Sequence, residues 1–359
     1  MGERMKGAPD LSVIVPVLNG MSVLPHCLEA LAASDLDRSR WELIVVDDGS
    51  TDDTRDLAGR HADLVLFVDR GPKGPAFARN RGSERASGDV LLFIDADVCV
   101  HPDTLSRTVA LFKDATVGAA FGAYDDHPAV PGFMSQYRNL LHRYVHLQGA
   151  GDAETFWAGC GSVRRTVFLE VGGYDADTYP RPQIEDIDLG YRLGEAEHRI
   201  VLDPSIQVKH LKTWTLGNTV RTDLFDRGVP WVQLLMEKER RTDTESNLNV
   251  NTTEKLKVAL VGLSLACAGL GLLLLDVRWL AASVVASALV LVQNLPMLSW
   301  FGRRRGLLFA VKVMPMNLLY YAISGFSVVI GTARHLRSGR ARRGALSPLQ
   351  QARLDGDTA

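Results

Sequence analysis

Two kinds of hydrophobic pattern divide the chain at about Asn251. Before that point, short apolar runs alternate with stretches in which apolar residues recur every three or four positions. The short runs predict strands buried on both faces, and the wider spacing predicts helices. Because the two alternate along the chain, the pattern predicts an α/β fold with a mostly parallel sheet and flanking helices.

The individual elements follow from where each pattern begins and ends. The predicted strands are Ser12–Val17, Leu43–Val46, Leu64–Val68, Val90–Ile94, Val117–Phe121 and two short closing strands, Ile200–Leu202 and Ile206–His210. The predicted helices are Ser22–Ala33, Asp52–His61, Pro75–Ala86, Thr104–Phe112, Phe133–Leu147, Ile184–Glu195 and a helical stretch Leu216–Glu239 that breaks at Pro230.

Three long apolar segments come next, at Val258–Leu275, Trp279–Phe301 and Leu307–Ala333. A helix that crosses a bilayer needs about 20 such residues, so the first two segments predict a membrane hairpin. For the third segment two interpretations stay open. Its length favours a third crossing, but arginines flank it on both sides and arginine prefers the cytosolic face, which favours a fold-back at Pro315.

Composition limits the cellular compartment and the binding partners that are expected for this protein. The formal net charge is -2, so no strong field attracts nucleic acid, and the arginine clusters flanking the apolar segments are topology signals. The four cysteines are far apart and form no CxxC pair, which favours four small buried side chains rather than a zinc site or disulfides. The polar stretch Met1–Asp10 has no signal-peptide pattern, so we expect the catalytic part to face the cytosol.

Three acidic groups carry the candidate chemistry. Asp47 and Asp48 follow one predicted strand, and Asp95 and Asp97 follow another. Carboxylates beyond the carboxyl ends of neighbouring parallel strands converge on one crevice. Together with a third group, Glu185-Asp186, they would repel one another unless a cation or a sugar-nucleotide lay between them. The ordered set therefore predicts a metal-dependent active site.

The same motifs carry a family resemblance. The run Ser12–Asn19 leading to Asp47–Asp52 resembles the start of family 2 glycosyltransferases, which have the GT-A fold. Gly74–Asp97 is similar to the family's next block, which ends in a DxD element, and Glu185–Leu193 is similar to its ED block. The resemblance covers about residues 11–215. We therefore expect a GT-A domain over 1–215, a juxtamembrane helical linker over 216–254, a transmembrane region over 255–335 and a basic disordered tail over 336–359.

The resemblance implies a divalent cation, Mg²⁺ or Mn²⁺, that neutralises a diphosphate leaving group. Asp97 takes the family's metal-binding role and Asp95 lies near the metal and the ribose. His210 resembles a late histidine that some GT-A enzymes use as a further metal ligand. The alternatives are a turn residue for Asp95 and a structural histidine for His210.

Four further residues are implied for the nucleotide-sugar donor. Asp48 resembles the residue that recognises the nucleotide base, Asp47 is its neighbour, and Pro16 resembles another part of the base pocket. Arg79 has a guanidinium suited to the nucleotide or its phosphates. The alternatives are turn chemistry for the aspartates and, for Arg79 and still more for Arg81, a solvated helix face.

On the acceptor side, the ED block implies that Asp186 is the general base of a single displacement with inversion, and that Glu185 orients the acceptor or Asp186. Carboxylates that complement a helix dipole would also explain charge at these positions. Trp157 and Gly159 fall where the family places the floor beneath acceptor and donor sugar, although a core tryptophan is equally compatible with the sequence.

Together these features predict a membrane-anchored inverting glycosyltransferase that moves one sugar from a nucleotide donor to a lipid-linked or cell-envelope precursor acceptor. Two departures from the family bear on the acceptor. The segment Arg227–Trp231 lacks the QxxRW element of processive synthases, and Cys99 replaces a glutamine typical of dolichyl-phosphate sugar synthases. The alternatives are a nucleotidyltransferase, although its GxGxR loop is missing, or an inactive membrane scaffold.

Overall fold

A computed structural model describes residues 9–238 and 252–338. The chain divides into two compact units, with the division between Thr213 and Trp214. Of the predicted disordered tail, residues 336–338 are helical and residues 339–359 lie outside the described residues.

The first unit is built on a nine-stranded sheet. The strand order is β3-β2-β1-β4-β8-β6-β9-β5, and β7 pairs with β9. The strands are β1 Leu11–Val17, β2 Trp41–Asp47, β3 Leu64–Phe67, β4 Val90–Ile94, β5 Val98–Val100, β6 Val117–Tyr124, β7 Gly151–Ala153, β8 Cys160–Arg164 and β9 Arg199–His210.

The sheet is mixed. Its first part is parallel as predicted, because β1 lies between β2 and β4 and β2 pairs with β3 in the same direction. In the second part β8 runs antiparallel between β4 and β6, and β5 and β7 run antiparallel to β9. The sequence pattern did not predict β5, β7 and β8, since they are short and β7 and β8 contain small or polar residues. The α/β fold class is confirmed.

The two predicted closing strands form one strand. β9 continues from Arg199 to His210 and pairs in parallel with β6. The pairing passes from Phe121↔Leu202 to Ala123↔Gln207, so a bulge absorbs the polar residues between the two apolar runs. The interruption around Pro204 therefore bends β9 without ending it.

Seven helices flank the sheet among the described residues of this unit. They are α1 Leu24–Ala32, α2 Thr54–Ala58, α3 Pro75–Arg85, α4 Thr104–Leu111, α5 Phe133–Gln148, α6 Arg165–Glu170 and α7 Glu185–Glu195, and a 3₁₀ turn covers Arg38–Arg40. The helix α2 is much shorter than predicted, and α6 was not predicted.

The described residues of the second unit are helical. The elements are α8 Leu216–Arg221, a π-helical segment Thr222–Gly228, α9 Val229–Lys238, α10 Thr252–Leu274, α11 Val277–Gln293, α12 Leu295–Arg305 and α13 Leu307–Ser338. By length and composition, α10 and α13 are apolar enough to cross a membrane, and α11 with α12 would make a third span if counted as one.

Two expectations for this unit are corrected. The predicted span Trp279–Phe301 is broken at Asn294, where α11 and α12 meet at an angle of 64°. Pro296 lies in the first turn of α12, and proline cannot continue the hydrogen-bond pattern of a preceding helix. In contrast, α13 runs through Pro315 without folding back.

Candidate active site

The parallel strands bring the first two acidic groups to one edge of the sheet. Asp47 is the last residue of β2, and Asp95 follows directly after β4. Strand β1 lies between them, with Pro16 in register with Val46 of β2. Pro16, Asp47 and Asp95 therefore lie near the carboxyl ends of three adjacent strands.

Asp48 organises the loop that leads into α3. Its two carboxylate oxygens accept hydrogen bonds from the backbone N–H groups of Lys73 and Gly74, at 2.9 Å and 2.7 Å. Its neighbour Asp47 is fully buried and accepts a hydrogen bond from Ser50 N at 2.8 Å. A direct contact between Asp47 and a nucleotide would require this turn to move.

Arg79 of α3 joins two of the acidic groups. Its Nη2 donates to Asp95 Oδ1 at 2.7 Å, and its Nη1 donates to Glu185 Oε1 at 3.1 Å. The Arg79 side chain is only 5% exposed, whereas that of Asp95 is 37% exposed. The DxD element and the ED block, far apart in sequence, are therefore held together by one buried guanidinium.

The charge of Arg79 is permanent. Burial lowers the pKa of Arg79, but the negative charges of Asp95 and Glu185 and its hydrogen bond to Asp95 outweigh that effect, so its pKa lies above the ordinary value. Tyr174 lies beside it, with its ring centroid 5.4 Å from the guanidinium carbon. Arg79 offsets part of the repulsion among these acids.

Asp97 lies beside His210. Asp97 Oδ2 and His210 Nε2 are 3.3 Å apart. The other ring nitrogen, Nδ1, lies 2.8 Å from Asn139 Oδ1 and is placed to donate to it. The ring also stacks on Tyr124 at a centroid distance of 4.7 Å. The hydrogen bond to Asn139 orients the ring so that Nε2 faces Asp97.

This pair fits a divalent cation as part of its ligand set. Burial raises the pKa of Asp97, but the hydrogen bond and charge of His210 and the charge of Lys212 outweigh burial, so its pKa is below the ordinary value. An ionised carboxylate and an oriented imidazole are suitable ligands. Within the described residues, no group of three or more His, Cys, Asp or Glu side chains is arranged to hold a metal. Substrate phosphates and water would complete the coordination, as is usual for Mg²⁺.

The ED block begins α7. The buried Glu185 is held at both oxygens, by Arg79 and by Gln183 N at 2.8 Å. The next residue, Asp186, is half-buried, and its Oδ2 accepts a hydrogen bond from Ala158 N at 3.3 Å. A third acid, Asp188, pairs with Arg192 at 2.8 Å within the same helix. Glu185 is thus fixed, while Asp186 keeps partial access to solvent.

Trp157 belongs to an aromatic group behind this site. Its ring lies 4.9 Å from that of Tyr124 and 4.8 Å from that of His142, measured between centroids. An added Cβ at Gly159 would lie 2.4 Å from the Trp157 ring, so the chain requires glycine there. Trp157 is half-buried and packs against the core, and its ring contacts Tyr124, which in turn stacks on His210.

Specific contacts thus join Asp95 to Glu185 through Arg79, and Asp97 to His210. Arg81 is not among them, since it pairs with Glu84 on the exposed face of α3. Sequence reasoning missed Asn139, Tyr124 and Tyr174. Each comes from a helix, strand or loop without a polar motif, and only tertiary contact with His210 or Arg79 gives it a role.

Comparison with known proteins agrees with this arrangement. Residues 12–172 match the model of glycosyl transferase family 2. Glycosyltransferase AglE of Haloferax volcanii is 33% identical over 118 residues, which is 32% of this chain and 39% of that protein. The pre-mycofactocin glycosyltransferase of Mycobacterium tuberculosis is 28% identical over 216 residues, covering 56% of this chain and 42% of the relative. The matches thus span about two fifths of the length of these curated relatives.

A solved structure shares the fold. The mannosyltransferase PcManGT from Pyrobaculum calidifontis, in complex with GDP-Man and Mn²⁺, superimposes with a TM-score of 0.53 at 19% identity, covering 93% of this chain and 88% of that one. The first unit is therefore a GT-A-like domain, with a mixed sheet and flanking helices. Residues 12–172 thus carry a match to glycosyl transferase family 2.

Proposed function

We propose that this protein is a membrane-anchored inverting glycosyltransferase that transfers a single sugar from a nucleotide-sugar to a lipid-linked or cell-envelope precursor acceptor. The observation that carries the proposal is the pairing of Arg79 with both Asp95 and Glu185. This pairing brings Asp95, on the donor side, next to Glu185, on the acceptor side. It therefore supports a single site in which donor and acceptor would bind together.

On the donor side, Asp97 and His210 would hold Mg²⁺ or Mn²⁺, with Asp95 beside them near the ribose. When bound, the cation neutralises the charge that grows on the diphosphate as the glycosidic bond breaks. Asp48 and Pro16 would line the base pocket, while Asp47 supports the turn that carries Asp48. Arg79 would position Asp95 rather than contact the donor, because its guanidinium is buried and already paired with Asp95 and Glu185.

On the acceptor side, Asp186 would accept the proton of the attacking hydroxyl. The acceptor oxygen forms a bond to the anomeric carbon, and the electron pair of the old carbon–oxygen bond leaves with the nucleoside diphosphate. One displacement inverts the configuration at that carbon. Asp186 accepts backbone hydrogen bonds from Ile187 and Ala158 but is only half-buried, whereas Glu185 is buried and paired with Arg79, so Asp186 is the better placed of the two for this role.

Several observations support the finer assignment. The nucleotide-sugar and Mn²⁺ in PcManGT support the donor class and the metal, although that likeness extends to the fold alone. The absence of QxxRW in the sequence supports transfer of one sugar rather than polymerisation. The apolar helices of the second unit support attachment to the cytoplasmic membrane with the catalytic unit in the cytosol.

The test is turnover of detergent-solubilised full-length protein with a panel of nucleotide-sugars and Mn²⁺. We expect transfer or hydrolysis with one donor, loss of activity with EDTA, and recovery on adding Mn²⁺ or Mg²⁺. NMR of the product would support inversion if the anomeric carbon of the transferred sugar had the configuration opposite to that in the donor. A folded protein that turns over no donor in the panel would contradict the proposal.

Two substitutions separate the roles. Asp186→Asn should lower turnover by roughly a hundredfold or more while donor binding persists, because only the base is lost. Asp97→Ala should lower turnover and also weaken metal-dependent donor binding. Glu195→Gln, at the far end of α7, is the matched control and should change neither. Wild-type turnover in Asp186→Asn would contradict the assignment of Asp186 as the general base.

A further inference from the structure

The path of the chain into the second unit fixes one side of the membrane. The helical stretch Leu216–Lys238 carries several charges, among them Arg221, Asp223, Asp226 and Arg227, and the sequence of residues 239–251 is polar. Charged residues of this number are not accommodated in a lipid-exposed span. The π-helical segment, α9 and the start of α10 therefore lie on the same side, called here the near side.

Four side chains form a polar junction between three helices. Lys257 Nζ of α10 donates to Glu254 Oε1 at 2.7 Å and to Asn294 Oδ1 at 3.1 Å. Tyr321 OH of α13 donates to Glu254 Oε2 at 2.9 Å. Lys257, Asn294 and Tyr321 are buried, and Glu254 and Lys257 lie in the first two turns of α10. Charged groups favour the membrane surface over the hydrocarbon, so the polar junction marks the near-side interface.

The polar junction also limits the course of the later helices. Asn294 ends α11, so α11 returns to the near side and the loop around Asp276 and Arg278 is the far-side tip of a hairpin. Helix α12 has 11 residues, a length of about 16 Å, and it ends in Arg303–Arg305. It is too short to cross about 30 Å of hydrocarbon. Helix α13 therefore begins on the near side as well.

The second half of α13 is also on the near side. An added Cβ at Gly228, in the π-helical segment, would lie 2.1 Å from Ser327 Oγ of α13. An added Cβ at Gly331 of α13 would lie 2.8 Å from Val232 of α9. These close approaches place residues 327–331 beside elements that precede the first crossing. A helix that starts on the near side, has its midpoint at the polar junction and ends beside α9 does not cross the membrane.

The exposed surface of α13 fits a lipid interface. Six of its seven large exposed apolar side chains, at 307, 308, 311, 326, 329 and 336, fall within an arc of about 100° at the helical repeat, and Val328 lies about 60° outside it. The exposed bases Lys312, Arg334 and Arg337 lie beyond one edge of this arc. An apolar arc with basic residues along its edge is typical of helices that lie in the headgroup–acyl boundary of anionic membranes.

We propose that α10 and α11 are the only helices among the described residues that cross the membrane, and that α12 and α13 lie along the near-side lipid surface with this arc in the headgroup–acyl boundary. The inference rests on the proposed membrane attachment. It also accounts for the charge pattern, because Arg303–Arg305 and the basic residues at the end of α13 then share one side.

Cysteine labelling tests the topology. In full-length protein, Phe225→Cys reports the near side, Arg278→Cys reports the hairpin tip, and Leu336→Cys reports the end of α13. With a membrane-impermeant maleimide on sealed vesicles of one orientation, Leu336→Cys should label together with Phe225→Cys and opposite to Arg278→Cys. Labelling of Leu336→Cys together with Arg278→Cys would overturn the proposal. The labelling pattern does not depend on enzymatic activity. The proposed topology can therefore be wrong while the proposed glycosyl transfer is right, and the reverse.

Depth measurement provides a second test that does not depend on sidedness. A nitroxide attached at Val329→Cys of α13 is compared with one at Val285→Cys in the middle of α11, in liposomes of phosphatidylcholine and phosphatidylglycerol. Both positions are exposed valines in the structure. We expect a shallow depth, near the headgroups, at 329 and a depth near the bilayer centre at 285. Equal, central depths at both positions would show that α13 spans and would overturn the proposal. Absence of the protein from the membrane would overturn it too, and would also remove the proposed anchoring.

Discussion

The pairing of Arg79 places a permanent cation between two acids that the sequence separates widely. Asp95 is 16 positions and Glu185 is 106 positions from Arg79 along the chain. Neighbouring carboxylates repel one another, and the guanidinium between these two offsets part of that repulsion. Lysine presents a single point charge and cannot match the two-pronged geometry of arginine.

We expect Arg79→Lys to keep the fold and to lower turnover at least tenfold, because one ammonium cannot hold Asp95 and Glu185 at both distances. Arg79→Met should destabilise the first unit by about 3–5 kcal/mol, since it leaves the buried carboxylate of Glu185 without its charged partner. Thermal unfolding and turnover of each variant are the measurements. Arg81→Lys, in an exposed pair with Glu84, is the control and should match the wild type. Wild-type turnover in Arg79→Lys would refute the positioning role.

A buried histidine makes stability depend on pH. Burial lowers the pKa of His146 to about 4, and its Nδ1 lies 3.0 Å from the carbonyl oxygen of Gly122. In the unfolded chain a histidine titrates near pH 6.5, so between about pH 6.5 and 4 the unfolded state binds a proton that the folded state does not. Stability should therefore fall as pH falls through this range.

The expected size is on the order of 2 kcal/mol between pH 7 and pH 5. It is measured by comparing unfolding free energies of the wild type and His146→Gln at both values. The variant should lose less stability on acidification than the wild type. An identical loss in both proteins would assign the pH dependence to other groups.

At the scale of elements, close packing of α3 on the sheet sets the position of Arg79. An added Cβ at Gly82 would lie 2.6 Å from Ile14 of β1 and 3.1 Å from Val46 of β2. Glycine therefore allows the helix to approach the strands whose ends carry the acidic groups. The site depends on this short helix–sheet distance as much as on its charged residues.

Gly82→Ala should destabilise the protein by about 1–3 kcal/mol, because the methyl group must displace α3 or the strands. The matched control is Gly59→Ala, where the added Cβ makes only ordinary contacts and the backbone is helical. That control should be neutral or stabilising by up to about 1 kcal/mol. Thermal unfolding distinguishes the two, and equal effects would show that α3 can move freely.

At the scale of the whole molecule, a domain with a GT-A-like fold is followed by apolar helices with large exposed side chains. Leu272, Leu273 and Leu275 near the hairpin tip are 68%, 77% and 90% exposed in the isolated chain. An exposed apolar surface of this kind is stable only against lipid or another apolar partner. The proposed membrane attachment therefore belongs to the helical unit.

We expect the protein to remain in the membrane pellet after extraction with alkaline carbonate, which releases proteins held only by charge. Detergent should release it. The measurement is the partition of the full-length chain between pellet and supernatant, with a soluble cytosolic protein as control. Release by carbonate would show that the α10–α11 hairpin does not insert.

The sequence predicted much of this arrangement for a definite reason. The apolar runs before Asp47 and Asp95 identify buried parallel strands, and topology alone brings their carboxyl ends together. The continuity of β9 through Pro204, the bend at Asn294 and the strands β5, β7 and β8 were not predictable in the same way. They depend on pairing and packing with distant segments, which local pattern does not record.

The sequence by itself determined the α/β class, the acids that follow the strands and the presence of apolar helices, because burial and periodicity are local properties of the chain. Only the tertiary structure decided that Arg79 joins Asp95 to Glu185, that Asn139 orients His210, and that Tyr321 meets Lys257 and Asn294. These are contacts between polar groups distant in sequence. Their geometry is set by how the elements pack, and no spacing along the chain encodes it.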